Sequence, residues 1–249
     1  MNTTFLRSAA DQLRMHAKSP MSTFMAVAFP CAFAFVIRSN ATGGNRAAEL
    51  TADLSVGTAG IGMLDAIIVM VVFSLLGEKQ WKTLYAALGS PGGLVPVVLG
   101  RLGGIVVQSL IALPGTFVVL ALFWGIDGGF AWGRWLVGGV LLALATASVV
   151  GLLAVAVLRF PYSAGMTNGL TGLLMALSAL IVPQSALPGP VRAAALLLPQ
   201  SHVMAWVRGG AIGDIAAAVL LTACYAALVV LLVHRLEAAV RRKSVPLEV

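Results

Sequence analysis

Charged residues are scarce in this sequence. Only 10% of its 249 residues are Asp, Glu, Lys or Arg, whereas 59% are hydrophobic. A soluble domain carries roughly 25% charged residues, which cover the surface that faces water. So few ionic groups exclude an ordinary soluble domain, and most of the surface is expected to face lipid.

Motifs for catalysis are also missing. There is no G-x-x-x-x-G-K-S/T loop, so the chain does not hydrolyse ATP alone. No H-E-x-x-H or C-x-x-C motif is present to hold a metal. The histidines lie in separate regions without a serine elbow, and they are His16, His202 and His234. The two cysteines, Cys31 and Cys224, fall in apolar runs and are expected to pack as small hydrophobic residues. The sequence predicts no enzyme, metal site or cofactor in this chain.

The formal net charge is +7, but its distribution does not indicate binding to nucleic acid. The cations stand between apolar runs and near the C-terminus rather than along one patterned face. The loops between the apolar runs are too short to fold a separate core. We therefore expect one membrane domain over residues 1–249, in contact with membrane lipids.

Six apolar runs could each cross a bilayer, whose hydrocarbon core takes about 20 helical residues. They predict an all-α membrane protein with six transmembrane helices, at 21–37, 56–76, 102–126, 135–158, 164–182 and 215–233. Pro183, Pro188 and Pro190 break the helix after the fifth run. Residues 191–213 are mixed in character and precede the last span.

Residues 1–19 have the pattern of a helix that lies in the membrane interface. Phe5, Ala9 and Leu13 repeat on one face, and charged residues repeat on another. A signal peptide is the alternative, because a basic segment precedes an apolar run. The length of that basic segment and Asp11 within it disfavour this alternative.

Orientation follows from the basic residues of the short loops, because cytoplasmic loops carry an excess of Lys and Arg. With both termini in the cytoplasm, the eleven inner cations are Arg7, Arg14, Lys18, Lys79, Lys82, Arg101, Arg159, Arg235, Arg241, Arg242 and Lys243. The five outer ones are Arg38, Arg46, Arg134, Arg192 and Arg208. This excess favours two cytoplasmic termini.

The connection after the second span holds the most informative motif. Its apolar residues fall at i, i+3, i+4 and i+7, one face of a short helix, and they are Trp81, Leu84, Tyr85 and Leu88. A short cytoplasmic helix led by two aromatic residues fits a groove on a soluble partner. The alternative is an interfacial helix that rests on lipid headgroups, and the spacing alone favours neither.

This stretch resembles the cytoplasmic loop of ABC-2-type permeases, the membrane subunits of many bacterial ATP-binding-cassette exporters. The motif is Glu-(Lys/Arg)-x-x-x-Thr-Leu, then Leu and Ser-Pro, and the matching positions are Glu78, Lys79, Thr83, Leu84, Leu88, Ser90 and Pro91. A second match is Leu198-Pro199 followed by Arg208-Gly209. The resemblance extends over the six-span layout and the N-terminal helix.

The resemblance implies a cytoplasmic coupling helix at 77–92 that docks on a partner ATPase through Glu78, Trp81, Thr83, Leu84, Tyr85, Leu88 and Pro91. It implies short re-entrant helices in 184–213 on the outer face, although many family members have a longer outer loop there. The working unit would hold two permease chains, identical or related, and two ATPase subunits that bind the ATP. The location implied is a bacterial cell membrane.

Three polar residues inside predicted spans are candidates for a cargo pathway or a subunit interface, and they are Asp65, Asn168 and Thr171. A charge in mid-span costs at least roughly 2.5–3.5 kcal/mol, so Asp65 must face a partner helix or a water-filled cavity. Structural packing is the alternative role for all three. The spacings Gly100-x-x-x-Gly104 and Gly165-x-x-x-Gly169 allow close helix contact, and ordinary packing is favoured over a dimer face.

Together these patterns predict the permease subunit of an ATP-driven exporter that works by alternating access. Its cargo would be hydrophobic or amphipathic, such as a drug, an antibiotic or a lipid. One alternative is an ion-driven secondary carrier, which needs several intramembrane ionisable groups where this chain has only Asp65. The others are an intramembrane lipid-modifying enzyme, which should have clustered polar residues in its spans, and a non-transporting assembly or sensor protein.

Overall fold

The structure is a computed structural model that describes residues 2–18, 24, 28, 31–32, 34–36, 39, 50–80, 88, 93–159 and 164–243. Within these residues the fold is all-helical and has no strand. The helices are α1 (Asn2–Ala17), α2 (Ala52–Gln80), α3 (Leu94–Ser109), α4 (Ala112–Trp124), α5 (Trp132–Arg159), α6 (Ala164–Leu177), α7 (Gly189–Ala195), α8 (Pro199–Val207) and α9 (Ile212–Lys243), with a 3-10 turn at Gln184–Ala186.

Four stretches of the described chain are long and apolar enough to cross a membrane. They are Ala52–Gly77, Leu94–Trp124, Trp132–Arg159 and Ile212–Arg242, and the shortest has 26 residues. A bilayer needs about 20 helical residues, so each stretch can cross it with some tilt. The described part of the chain is all-helical with four candidate membrane-spanning helices, and these apolar helices are consistent with a membrane protein.

Helices α2 and α5 form the centre of the bundle. They pack against each other, and α2 also contacts α3, α4 and α6. The most apolar window of α2 is 78% buried within the protein, whereas that of α9 is only 11% buried. Because α9 contacts the bundle mainly through α5 and α8, it lies at the edge and presents most of its apolar surface outward.

The predicted second and fourth spans are confirmed as helices, in α2 and α5 respectively. The sixth, predicted at 215–233, lies in α9, which continues to Lys243. The third, predicted at roughly 102–126, lies largely in the candidate span Leu94–Trp124, which begins earlier than predicted and divides into α3 and α4. Most of the first predicted span, 21–37, lies outside the described residues.

The break between α3 and α4 has a local cause in Pro114. Proline has no amide hydrogen, so it cannot donate to the carbonyl oxygen of Leu110 one turn earlier. The amide of Leu113 donates to that oxygen instead, with an N–O distance of 3.1 Å, which is a tighter turn than an α-helix makes. The 31-residue stretch Leu94–Trp124 is therefore broken near its middle.

The fifth predicted span, 164–182, is helical only as far as Leu177. Helix α6 has 14 residues, which is about 21 Å of helix at 1.5 Å per residue, whereas a hydrocarbon core is about 30 Å thick. The chain then turns at Ala179, whose φ of 52° lies in the left-handed region. The apolar run up to Val182 gives no sign of this turn.

Candidate functional site

One end of the bundle holds both flanks of the predicted coupling loop. Helix α2 ends at Gln80 and α3 begins at Leu94, so these two helix ends mark one end of the bundle, which we term the loop end. Helix α1 lies on the first half of α3, where Ser8 Oγ donates to the carbonyl oxygen of Val97 at 2.9 Å. The last turns of α9 also reach this end. We term the end that carries Asp53 and Arg208 the opposite end.

Most of the predicted coupling residues lie outside the described residues, namely Trp81, Thr83, Leu84, Tyr85 and Pro91. Glu78 belongs to the last turn of α2, so the helix of the span continues into the predicted loop. Leu88 is helical, and with 9% of its surface exposed it packs in the main buried cluster. Leu88 is therefore held against the bundle.

Helix α1 docks on α3 through two glycines. A side chain at Gly100 would meet the carbonyl oxygen of Phe5 at 2.6 Å, and one at Gly104 would meet that of Ala9 at 2.8 Å. Any larger residue would force the two backbones apart. The Gly100-x-x-x-Gly104 spacing thus serves packing within the chain, as predicted, and its face is taken by α1.

A buried glutamine joins three helices at the loop end. Gln12 of α1 is fully buried, and its Oε1 accepts a hydrogen bond from Ser74 Oγ of α2 at 2.9 Å and one from Arg101 Nη1 of α3 at 3.0 Å. Polar groups are costly to bury without partners. These bonds therefore fix α1 on both α2 and α3, and the face that binds them includes Ser8 and Gln12.

The N-terminus of α3 is capped from the far end of the chain. Glu237 Oε2 of α9 accepts a hydrogen bond from the amide of Leu94 at 3.0 Å, and Oε1 pairs with Arg241 Nη2 at 2.7 Å. The first amides of a helix lack partners within it, and a carboxylate satisfies them and favours the helix dipole. Gly93, with φ of 70°, makes room for the carboxylate, because any side chain at this position would collide with Glu237.

Sequence reasoning missed Glu237. The available signal was a single acidic residue among the basic residues of 234–243, four positions before Arg241, which suits a helical ion pair. The bond to Leu94 gave no signal, because 143 positions separate the two residues.

At the opposite end Arg208 binds the turn that follows α6. Its guanidinium donates to the carbonyl oxygens of Ala179 at 2.8 Å, Leu180 at 2.9 Å and Ile181 at 3.2 Å. Its Nε lies 3.9 Å from Asp53 Oδ2 at the start of α2. Burial lowers the pKa of the Arg208 guanidinium below its usual range, and the Asp53 carboxylate opposes this effect.

The second sequence match has a structural role here. Pro199 occupies the beginning of α8, where a missing amide hydrogen costs nothing. Arg208 follows the last residue of α8, and Gly209 adopts a φ of 101° that other residues rarely reach. These positions shape the segment that returns to α9.

Aromatic rings also cluster at the opposite end. The centroids of Phe130 and Trp132 lie 4.7 Å apart, and those of Phe117 and Trp135 lie 5.3 Å apart. Trp135 Nε1 donates to Ser55 Oγ at 3.1 Å, which joins α5 to the start of α2. Amphipathic aromatic rings are enriched where a membrane meets water, so this end has the composition of a membrane interface.

The three predicted intramembrane polar residues occupy different environments. Asp65 of α2 is half-buried, Asn168 of α6 is exposed, and Thr171 of α6 is 9% exposed. No hydrogen bond joins Asp65 to either of the others within the described residues. They do not form one polar site in this chain. On α6, Asn168 faces outward, whereas Thr171 faces the inside of the bundle.

No protein-family model matches the chain, and no curated protein was found to be similar to it. The loop end joins α1, α2, α3 and α9 by polar contacts around a connection that carries the motif. The opposite end holds the turn after α6 through one arginine.

Proposed function

We propose that this chain is the permease subunit of an ATP-driven exporter and that the loop at 77–92 docks on a separate ATPase. The observation that carries the proposal is the anchoring of both flanks of the motif. The end of α2 is tied to α1 and α3 through Ser74 and Gln12, and the start of α3 is tied to α9 through Glu237. A force applied at the loop would therefore act on four helices together.

Within this proposal, the coupling contact belongs to Trp81, Leu84 and Tyr85. Leu88, which is buried, would anchor the loop helix on the bundle, while Glu78, Thr83 and Pro91 would shape the ends of that helix. The division is supported by the burial of Leu88, which leaves that side chain unavailable to a partner. ATP would be bound by the partner, in two copies.

The proposed membrane layout has six spans, with 21–37 and the region of α6 added to the four long stretches. The loop end faces the cytoplasm of a bacterial cell and holds both termini, which the excess of cations near that end supports. Helices α7 and α8 would lie on the outer side as short re-entrant elements. The aromatic rings of the opposite end are compatible with the membrane–water interface on the outer side of the cell membrane.

The proposed cargo is hydrophobic or amphipathic, and it would pass between two permease chains, identical or related. Asp65 and Asn168 support this arrangement, because a half-buried carboxylate and an exposed amide are costly against lipid. A second permease chain or a hydrated pathway would remove that cost. Thr171 would contribute to packing between α6 and α2.

Association with an ATPase provides the test. The tagged chain is purified from membranes of its own host, and bound ATPase is identified by photolabelling with azido-ATP and by ATP hydrolysis. The double variant Trp81→Ala, Leu84→Ala is expected to weaken association by about 2 kcal/mol or more, about 30-fold in Kd, because buried aromatic anchors dominate such interfaces.

Trp132→Ala is the matched control, because it removes an exposed tryptophan at the opposite end, and it should leave association unchanged. Equal ATPase association of the double variant and the unaltered chain would refute the coupling role of the loop. Movement of a hydrophobic dye by the purified chain without any ATPase would instead favour a gradient-driven carrier.

A further inference from the structure

A helix is usually capped by the residue that precedes it. The N-terminus of α3 is instead capped by Glu237, which belongs to a different helix, α9. The carboxylate comes from α9, and it binds the first amide of α3, immediately after the loop returns to the bundle. Only 13% of the Glu237 side chain is exposed. A charge-assisted hydrogen bond in such a place is stronger than one between neutral groups.

Near the loop end α9 packs through apolar side chains, because Val233 is buried and Leu236 and Val240 are partly buried against the main core. Further from the loop, Val229 is buried and lies close to Gly151 of α5. Glu237 adds a directed polar contact that ties the last turns of α9 to the first amide of α3. The ion pair with Arg241 lies within α9 and does not connect it to another helix.

We propose that Glu237 is a positioning residue that transmits displacement of the loop to the last span. The inference rests on the proposed function, since the ATPase supplies the displacement. When the loop moves, the amide of Leu94 moves with it, and the carboxylate obliges the end of α9 to follow. Without this bond, α2 and α3 would still move with the loop, whereas α9 would follow only through apolar contacts, which can slide.

The test measures the displacement of α9 against α5 in the complex with the ATPase. Cysteines replace Ala239 and Ala156 in a chain whose Cys31 and Cys224 are changed to Ala, and spin labels on them report their distance by pulsed electron paramagnetic resonance. Distances are compared without nucleotide and with ATP and vanadate. The unaltered Glu237 complex is expected to change its distance distribution, and Glu237→Ala should reduce that change about twofold or more, since a side-chain cap is lost.

Two further variants separate positioning from folding. Glu237→Gln keeps the volume and an acceptor oxygen but loses the charge, so it also should reduce the displacement, to a smaller extent. Arg241→Gln removes the ion pair and leaves the bond to Leu94, so it should keep the displacement. A purely structural role would lower the melting temperature of Glu237→Ala and leave the displacement in the folded complex unchanged.

The outcomes distinguish this inference from the proposed function. If no ATPase associates with the unaltered chain, the proposed function fails. If the ATPase is bound, the inference is overturned either by an equal displacement in the Glu237→Ala complex or by the absence of displacement in the unaltered complex. Reduced displacement with the ATPase still bound supports it.

Discussion

Arg208 concentrates several interactions at one residue. Its guanidinium serves three carbonyl oxygens of the turn after α6 and lies near the Asp53 carboxylate. The planar fork of arginine can serve several acceptors at once, which the ammonium of lysine cannot do in the same geometry. The turn that follows α6 thus depends on the side chain of Arg208, which lies almost 30 positions later in the sequence.

Replacing Arg208 by Ala should destabilise the protein by about 1–3 kcal/mol, because part-buried carbonyl oxygens lose their donor. Arg208→Lys should recover only part of this loss. Arg192→Ala, at an exposed position of α7, is the matched control and should change stability little. Thermal unfolding of the purified variants in detergent measures the effect, and equal melting temperatures for the two alanine variants would contradict it.

Asp65 is an ionisable residue inside a candidate membrane span. It is half-buried in mid-span, where a charge costs at least roughly 2.5–3.5 kcal/mol. Asp65→Asn is therefore expected to keep or raise the abundance of the protein in the membrane and to lower export of a hydrophobic dye. Quantitative blotting and dye efflux from cells measure the two effects. A fall in abundance would indicate that Asp65 is needed for packing.

At the scale of elements, the docking of α1 depends on the absence of side chains on α3. Gly104→Val should displace α1, since the new side chain would meet the backbone of Ala9, and overpacking of this kind costs about 1–3 kcal/mol. Gly133→Val is the control, because nothing lies near that position.

Displacement of α1 can be followed with a cysteine at Ser8, which is buried in the contact. A water-soluble maleimide should label this cysteine slowly in the otherwise unaltered chain and rapidly in the Gly104→Val variant. Slow labelling in both would show that α1 tolerates the larger residue.

The elements predicted well from sequence are those whose composition alone defines them. The apolar runs of α2 and α5 predicted helices because a membrane admits little else, and the amphipathic pattern of residues 1–19 predicted α1. Prediction failed where a distant partner or one backbone angle decides. Nothing near Ala179 announces the turn that ends α6, and the break before α4 depends on Pro114 within an otherwise continuous run.

The candidate site shows the same limit. The loop motif and Asp65 stand out in the sequence because their residue types are unusual in their surroundings. Gln12 and Glu237 do not, since an amide or a carboxylate on a polar helix is unremarkable until its partners on other helices are known. Contacts between residues 62 or 143 positions apart require the fold.

For the whole molecule, the two ends of the bundle should lie on opposite sides of the membrane. Single cysteines at positions 45 and 128 are expected to react with an impermeant maleimide in intact cells. Cysteines at positions 82 and 239 are expected to react only after the cells are permeabilised. The reverse pattern would invert the orientation and place the loop motif where no ATPase could reach it.

The shared location of α1 and the end of α9 has a practical consequence for subunit composition. A flexible linker could join the tail of one copy to the head of a second without threading through the bilayer. Such a single-chain tandem would fix two identical halves in one polypeptide. If the tandem exports cargo in cells that lack every related gene, one gene product suffices for both halves of the proposed exporter.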